Sequence, residues 1–457
     1  MPPKRKLAAN GYKLAEPLEQ GTILKDLSKQ CWKLGPSIGK GGFGEIYSAQ
    51  KDGTDDKTYP YVVKIEPHSN GPLFVEINFY IRHCKAHDLE LFMKKKGLKT
   101  FGMPIYHGSG SHESSTGRKY RFLVMNKFNS DLQTRLLESN GQFPVDTVFK
   151  VALQLLDVLE YIHSCSYVHA DIKAANVLID KSNKQCYLVD FGLATKYTMD
   201  SQFKPNPKKA HDGTIEFLSR DAHQGVSTRR GDLEILAYNL VHWLGGTLPW
   251  TNLISDPNMV QKSKEENMET PSKMIKACFG DNKSSPKAIN AYFRYLQTLE
   301  FNTAPDYKTI GNILLSGLKE SGGTIGTVLT FSRNKTKTSS SRKNQSTPKR
   351  LQSKRSKPET TLSTPVYDDD DDDDDEDDEE NVTADLPKSI KKKHKMPDTK
   401  LNQGTKTDLA GRKTVKKRLS KSVDDITKLD PPKGFTAAMK EIWLKKQQKD
   451  TKRKRKT

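Results

Sequence analysis

The chain has 457 residues, with 76 Lys and Arg against 56 Asp and Glu for a net charge of +20, and its five cysteines form no Cys-x-x-Cys pair. That length allows one large domain with extensions or two to three domains; the cysteine pattern excludes a disulfide framework and a zinc site and points to a reducing compartment. No apolar signal core follows Met1-Pro2-Pro3-Lys4-Arg5-Lys6, and no run of about 18 apolar residues occurs, so neither secretion nor a membrane span is expected.

Residues 1–25 read as a basic N-terminal extension, 26–320 as one domain, and 321–457 as a charged tail. The first informative stretch is Gly39-Lys40-Gly41-Gly42-Phe43-Gly44. Taken alone, this spacing is shared with dinucleotide-binding folds, and Glu66 lies about where an acidic ribose ligand would be wanted. The flanks decide the matter: a dinucleotide turn opens a helix, whereas Glu45-Ile46-Tyr47-Ser48-Ala49 alternates polar and apolar and leads through Asp52-Gly53 to a second strand, Tyr61-Val62-Val63-Lys64-Ile65. Two strands joined by a glycine flap let backbone N–H groups approach phosphates, because glycine has no Cβ in the way. Ile38, Gly39, Lys40, Gly41, Gly42, Phe43, Gly44, Glu45 and Ile46 are therefore the expected nucleotide contacts.

Apolar residues at 73, 77, 80 and 81 predict a helix that carries Glu76. Tyr120-Arg121-Phe122-Leu123-Val124-Met125 predicts a buried strand ending in the polar stretch Asn126-Lys127-Phe128-Asn129. Val148, Val151, Leu155, Val158, Leu159 and Ile162 recur at helical spacing and deliver the chain to His169.

There the chemistry concentrates, in His169-Ala170-Asp171-Ile172-Lys173-Ala174-Ala175-Asn176 and, after a short apolar hairpin, Asp190-Phe191-Gly192. Phosphoryl transfer leaves a protein little covalent work beyond positioning and charge neutralisation. Asp171 suits the proton of an acceptor hydroxyl, Lys173 the transferring phosphate, and Asn176 and Asp190 offer oxygens to Mg2+. The set resembles the protein kinase signature. The resemblance implies an α+β, two-lobed fold, with an antiparallel sheet and one helix above a mostly helical lobe. It also implies that Lys64 meets the ATP phosphates with Glu76 as its partner, Glu66 being the near rival, and that Asn126 and Phe128 belong to the adenine-binding hinge with Met125 behind it.

Beyond Asp190 the polar segment 191–219 ends in His211-Asp212-Gly213-Thr214-Ile215-Glu216-Phe217-Leu218-Ser219, and no Ala-Pro-Glu follows. Ala170 stands where most kinases carry an arginine that pairs with an activation-segment phosphate, so activity without phosphorylation at Thr195, Tyr197, Thr198 or Ser201 is expected. Residues 227–234 run into a helix apolar on nearly every side, with Asp232 placed either to cap it or to brace the catalytic loop.

The motifs at 169–176, 212–217 and 227–234, with Asn70-Gly71-Pro72-Leu73-Phe74 and Pro249-Trp250, resemble the vaccinia-related kinases, a branch near casein kinase I, over roughly residues 20–320. The resemblance implies a Ser/Thr kinase using Mg-ATP on nuclear, chromatin-associated proteins such as histones and barrier-to-autointegration factor. One family branch consists of pseudokinases, but Gly39, Gly41, Gly44, Lys64, Asp171, Asn176 and Asp190 are all kept. A kinase-fold chromatin scaffold with little activity is the alternative.

The tail, with 34 basic and 22 acidic residues after 320, has too little apolar mass to fold and reads as disordered. It carries thirteen consecutive acidic residues at 368–380 and basic clusters at 391–395, 412–418 and 452–456, suited to nuclear import or to DNA and nucleosome contact, or merely to solubility. Phe435, Ala438, Met439, Ile442 and Trp443 share one helical face, either a partner-docking or membrane-surface helix or a marginal isolated one. No heptad pattern points to an oligomer, so a monomer is expected, located in the nucleus, with the cytoplasm as a second location left open.

Overall fold

The computed structural model describes residues 15–40, 44–54, 58–280 and 285–331. The acidic run, the basic clusters and the 435–443 face lie outside the described residues, as do Gly41, Gly42 and Phe43.

The first lobe is a six-stranded antiparallel sheet of β1 (Ile23–Lys25), β2 (Cys31–Lys40), β3 (Glu45–Lys51), β4 (Tyr61–Pro67), β5 (Gly108–Glu113) and β6 (Lys119–Asn126), in the order β1-β2-β3-β4-β6-β5. Two helices, α1 (Pro72–His83) and α2 (Ala86–Lys96), separate β4 from β5. The period-two side-chain rule accounts for the buried character of β6. Tyr120, Phe122 and Val124 join Leu24, Trp32, Leu34 and Tyr47 in a small core on one face, whereas Leu123 and Met125 join the main core on the other. The register that sets Lys64 opposite Leu123 on β6 and Ile46 on β3 turns its side chain to that second face, away from Val63 and Ile65.

The second lobe is mostly helical. Short strand β7 (Ser130–Asp131) and α3 (Leu132–Glu138) lead to the long α4 (Val145–Ser164), whose inward face is buried throughout as its spacing predicts. Then β8 (Tyr167–Val168), β9 (Val177–Ile179), β10 (Cys186–Leu188) and β11 (Thr195–Lys196) frame the loop 169–176: β9 and β10 form the apolar hairpin, and β11 pairs with β8. Helices α5 (Arg220–His223), α6 (Arg229–Trp243), α7 (Pro257–Glu269), α8 (Pro271–Phe279), α9 (Lys287–Gln297) and α10 (Tyr307–Glu320) complete the lobe.

The packed body is longer than the 26–320 read from the sequence. At its start β1 pairs with β2, and Leu18 N–H donates to the Tyr47 hydroxyl at 2.8 Å. At its end Thr147 Oγ1 donates to Thr330 O at 2.7 Å, and the Phe331 ring packs edge-on to Phe143. The composition change near 325 hides the contacts at this end because residues 330 and 331 contribute to them only a backbone carbonyl and one aromatic ring.

Candidate active site

Three elements bring the charged groups together. Lys64 on β4 places its ammonium 2.6 Å from Glu76 Oε2 on α1 and 3.0 Å from Asp190 Oδ1. Burial disfavours the Lys64 charge, but the two carboxylates outweigh it and raise its pKa. Burial also works against Asp190, whose pKa is nevertheless held below the ordinary value by Lys64. The same burial raises Glu76, against the pull of Lys64. Glu66, the rival acid, points elsewhere: its Oε2 accepts the Leu73 N–H at 2.6 Å, supplying the acceptor that Gly71, the residue at the N-cap of α1, has no side chain to give.

Helix α1 is seated by Phe79, which stacks on Phe191 at 4.2 Å between ring centroids and 10° between planes. The apolar stripe read from the sequence included Ile81; in the structure Phe79 is buried and Ile81 only half-buried, because the core lies toward Phe191.

Asp171 sits in a compact polar cluster. Lys173 Nζ donates to Asp171 Oδ2 at 2.6 Å and to Thr214 Oγ1 at 2.9 Å, and Thr214 Oγ1 donates to Asp171 Oδ1 at 2.6 Å. Asn176 Nδ2 donates to the Asp171 carbonyl at 2.8 Å, which leaves Oδ1 as the oxygen Asn176 can offer to a cation. Ala170 and Asp190 both hold φ of 66°, a left-handed conformation that costs a non-glycine residue of order 1 kcal/mol. Asp232 offsets that cost at the first: its carboxylate accepts from His169 N at 2.8 Å and Ala170 N at 2.9 Å and contacts His163 Nε2 at 2.9 Å. The helix cap at α6 is instead Thr228, whose hydroxyl accepts the Gly231 N–H at 2.9 Å. Of the two roles open to Asp232, bracing is the one the geometry gives it.

These groups face one cleft of about 1080 Å3 between the lobes, also lined by Ile38, Gly39, Ile46, Met125, Asn126 and Phe128. At the hinge, Lys127 and Asn129 spend their N–H groups on Pro60 and Ile179 carbonyls, so among the described residues Phe128 keeps the uncommitted amide. The glycines divide by role. A Cβ on Gly44 would lie 2.0 Å from Ile65 O, a close approach within the sheet, whereas a Cβ on Gly39 would meet nothing within 4 Å. Glu45, expected among the nucleotide contacts, is buried and accepts from Ser37 Oγ at 2.7 Å, because strand alternation turns it out of the cleft.

The protein kinase domain family matches residues 32–276 of the chain. Nucleosomal histone kinase 1 of Drosophila melanogaster is 49% identical over 322 residues, which cover 69% of this chain and 53% of that protein. Serine/threonine-protein kinase VRK2 of Homo sapiens is 42% identical over 320 residues, 69% of this chain and 62% of that protein. The solved structure of vaccinia related kinase 3 superposes with a TM-score of 0.62 at 28% identity, covering 69% of this chain and 96% of that one. The chain belongs to the vaccinia-related protein kinases. It matches between half and two thirds of the length of the first two relatives.

The segment that follows Asp190 in this kinase domain is held by backbone pairing and by a cation–π contact. Thr195 and Lys196 pair with β8, Thr198 N–H donates to Ser227 O at 2.9 Å, and the Arg229 guanidinium lies 4.4 Å over the Tyr197 ring. Thr214 and the Asp232, His163 and Tyr307 chain were not singled out together by sequence reasoning. Only tertiary structure joins residues 43 apart, as in the Thr214–Asp171 bond, or 144 apart, as in the 2.6 Å His163–Tyr307 bond.

Proposed function

We propose that the chain is a Ser/Thr protein kinase that transfers the γ-phosphoryl group of Mg-ATP to chromatin proteins, histones foremost. The observation that carries this reading is that the Lys64–Glu76–Asp190 cluster and the Asp171–Lys173–Thr214 cluster face the same cleft. When bound, Mg-ATP supplies the phosphoryl group and the divalent charge that compensates it. The donor set fits such a cation: the Asp190 carboxylate and the Asn176 amide oxygen are hard ligands of the kind Mg2+ prefers.

The chain's own groups do the rest. Lys64, fixed by Glu76, presents its ammonium to phosphate oxygens; Ile38, Ile46, Met125 and Phe128 enclose a base, with the Phe128 amide as hinge donor. Asp171 orients the acceptor hydroxyl and takes its proton, and Lys173 neutralises charge on the phosphoryl oxygens. Thr214, bonded to both, holds their spacing. The proton passes to Asp171 as the bond between the acceptor oxygen and phosphorus forms.

Chromatin substrates are supported by the relative named as a nucleosomal histone kinase and by the basic clusters of the tail; barrier-to-autointegration factor is the second acceptor expected from family resemblance, and the nucleus the expected location. Incubation with γ-labelled ATP and core histones tests the reading. Label on Ser or Thr that disappears when Mg2+ is chelated is expected; no label, or label on Tyr, would contradict it.

A further inference from the structure

Helix α7 carries a buried lysine that the mechanism does not use. Lys264 is 0% exposed. Its ammonium donates to the Ile215 carbonyl at 2.7 Å, to the Leu218 carbonyl at 2.7 Å and to His223 Nε2 at 3.1 Å, and lies 5.4 Å and 5.3 Å over the Tyr238 and Trp250 rings. Trp250 Nε1 donates to the carbonyl between those two, Glu216 O, at 2.7 Å. Residues 215, 216 and 218 thus have their carbonyls pinned by two buried side chains, one of them an ammonium.

The pinned turn begins at Thr214, whose hydroxyl bonds Asp171 and Lys173. Phe217 and Leu218 N–H groups both donate back to Thr214 O at 2.9 Å, so the turn and Thr214 move as one unit. Asp212, Gly213 and Thr214, at the head of this turn, line the cleft that Asp171 faces, so a substrate whose hydroxyl reaches Asp171 passes beside them. Burial lowers the Lys264 pKa to about 7, against the pull of Glu234 and Glu216. Burial and the Lys264 charge together bring His223 down to about 3, which keeps its Nε2 free to accept.

We infer that Lys264, with Trp250, is a positioning residue for the protein substrate: it fixes turn 214–218 without a phosphate on the segment, doing the work that Ala170 forgoes. This rests on the kinase reading above.

The test compares the full chain with Lys264→Met and with Trp250→Phe, which keeps the ring but loses the donor. The half-saturating concentration of core histones, that of ATP, and kcat are measured for each. Lys264→Met is expected to raise the histone value at least fivefold with the ATP value changed less than twofold, and Trp250→Phe to shift it the same way by a smaller factor. Folded variants with unshifted histone values, or with both values moving together, overturn the inference. If Lys264→Met does not fold, Trp250→Phe decides alone, and an unshifted histone value there is sufficient to overturn it. No transfer by the parent chain removes the kinase reading and this inference with it, whereas an active parent with unshifted variants removes only this inference.

Discussion

Glu66 and Asp232 show what a single buried carboxylate does when it is not at the reaction centre. Glu66 ties the N-terminus of α1 to the strand that bears Lys64, and burial raises its pKa from 4.5 to about 7, the Leu73 N–H and Lys64 pulling the other way. The folded state then holds a proton that the unfolded chain has lost above its ordinary carboxyl value. The stability this proton confers is full below about 4.5 and is lost as pH rises through about 7. Glu66→Gln, a neutral mimic, should therefore raise the melting temperature relative to the parent more at pH 8 than at pH 5, by roughly 2–4 °C per kcal/mol regained. An equal difference at both pH values would show that the carboxyl does not titrate in this way. In the sequence Glu66 and Glu76 were both within reach of Lys64; helical spacing favoured Glu76, but nothing local showed that Glu66 caps the helix. Asp232 was legible as a polar residue in an apolar helix, yet which backbone it served depended on the left-handed turn at Ala170.

At the scale of elements, α1 matters because it carries Glu76, and its seat is the stack of Phe79 on Phe191. Phe79→Ala removes a ring 1% exposed. The expected loss is about 3–5 kcal/mol in denaturant unfolding, with transfer activity falling further because Glu76 loses its registration with Lys64. Unchanged activity at reduced stability would show that the ion pair does not depend on this stack. The segment after Asp190 yields a second expectation. Since β8 pairing, the Thr198–Ser227 bond and Arg229 over Tyr197 hold it without phosphate, phosphatase treatment should leave activity within about twofold. Loss of activity traced by mass spectrometry to Thr195, Tyr197, Thr198 or Ser201 would contradict this. Strands and the long helix were legible because β3 alternates polar and apolar, β4 and β6 are short, largely apolar runs, and α4 keeps a period near 3.6. The anchoring of the segment was not, since its contacts come from α6 and α7, tens of residues downstream, and from backbone groups that leave no mark in a sequence.

At the scale of the whole molecule, packing includes Thr330 and Phe331 through the Thr147–Thr330 and Ser139–Phe331 bonds, past the 320 expected from the sequence. A chain ending at residue 331 should keep its melting temperature and its transfer to free histones, while one ending at 320 should melt lower for want of those contacts. The 331 truncation should also bind duplex DNA more weakly, with a shallower salt dependence, each neutralised phosphate accounting for a slope of roughly −0.9 in log K against log salt. Equal DNA binding by the truncated and full chains would remove the tail from that role. That packing reaches Phe331 could not be read from composition, which changes several residues earlier.

The most direct measurement is Mg-dependent transfer of labelled γ-phosphate to core histones by the full chain and by Asp171→Ala, both shown to be folded and to bind ATP. Transfer by the parent that falls by at least about a thousandfold in the variant, with ATP affinity kept, is the result expected of a positioned carboxylate at the acceptor hydroxyl. Equal transfer by both, or none by either, would contradict the assignment of this cleft as the site of phosphoryl transfer.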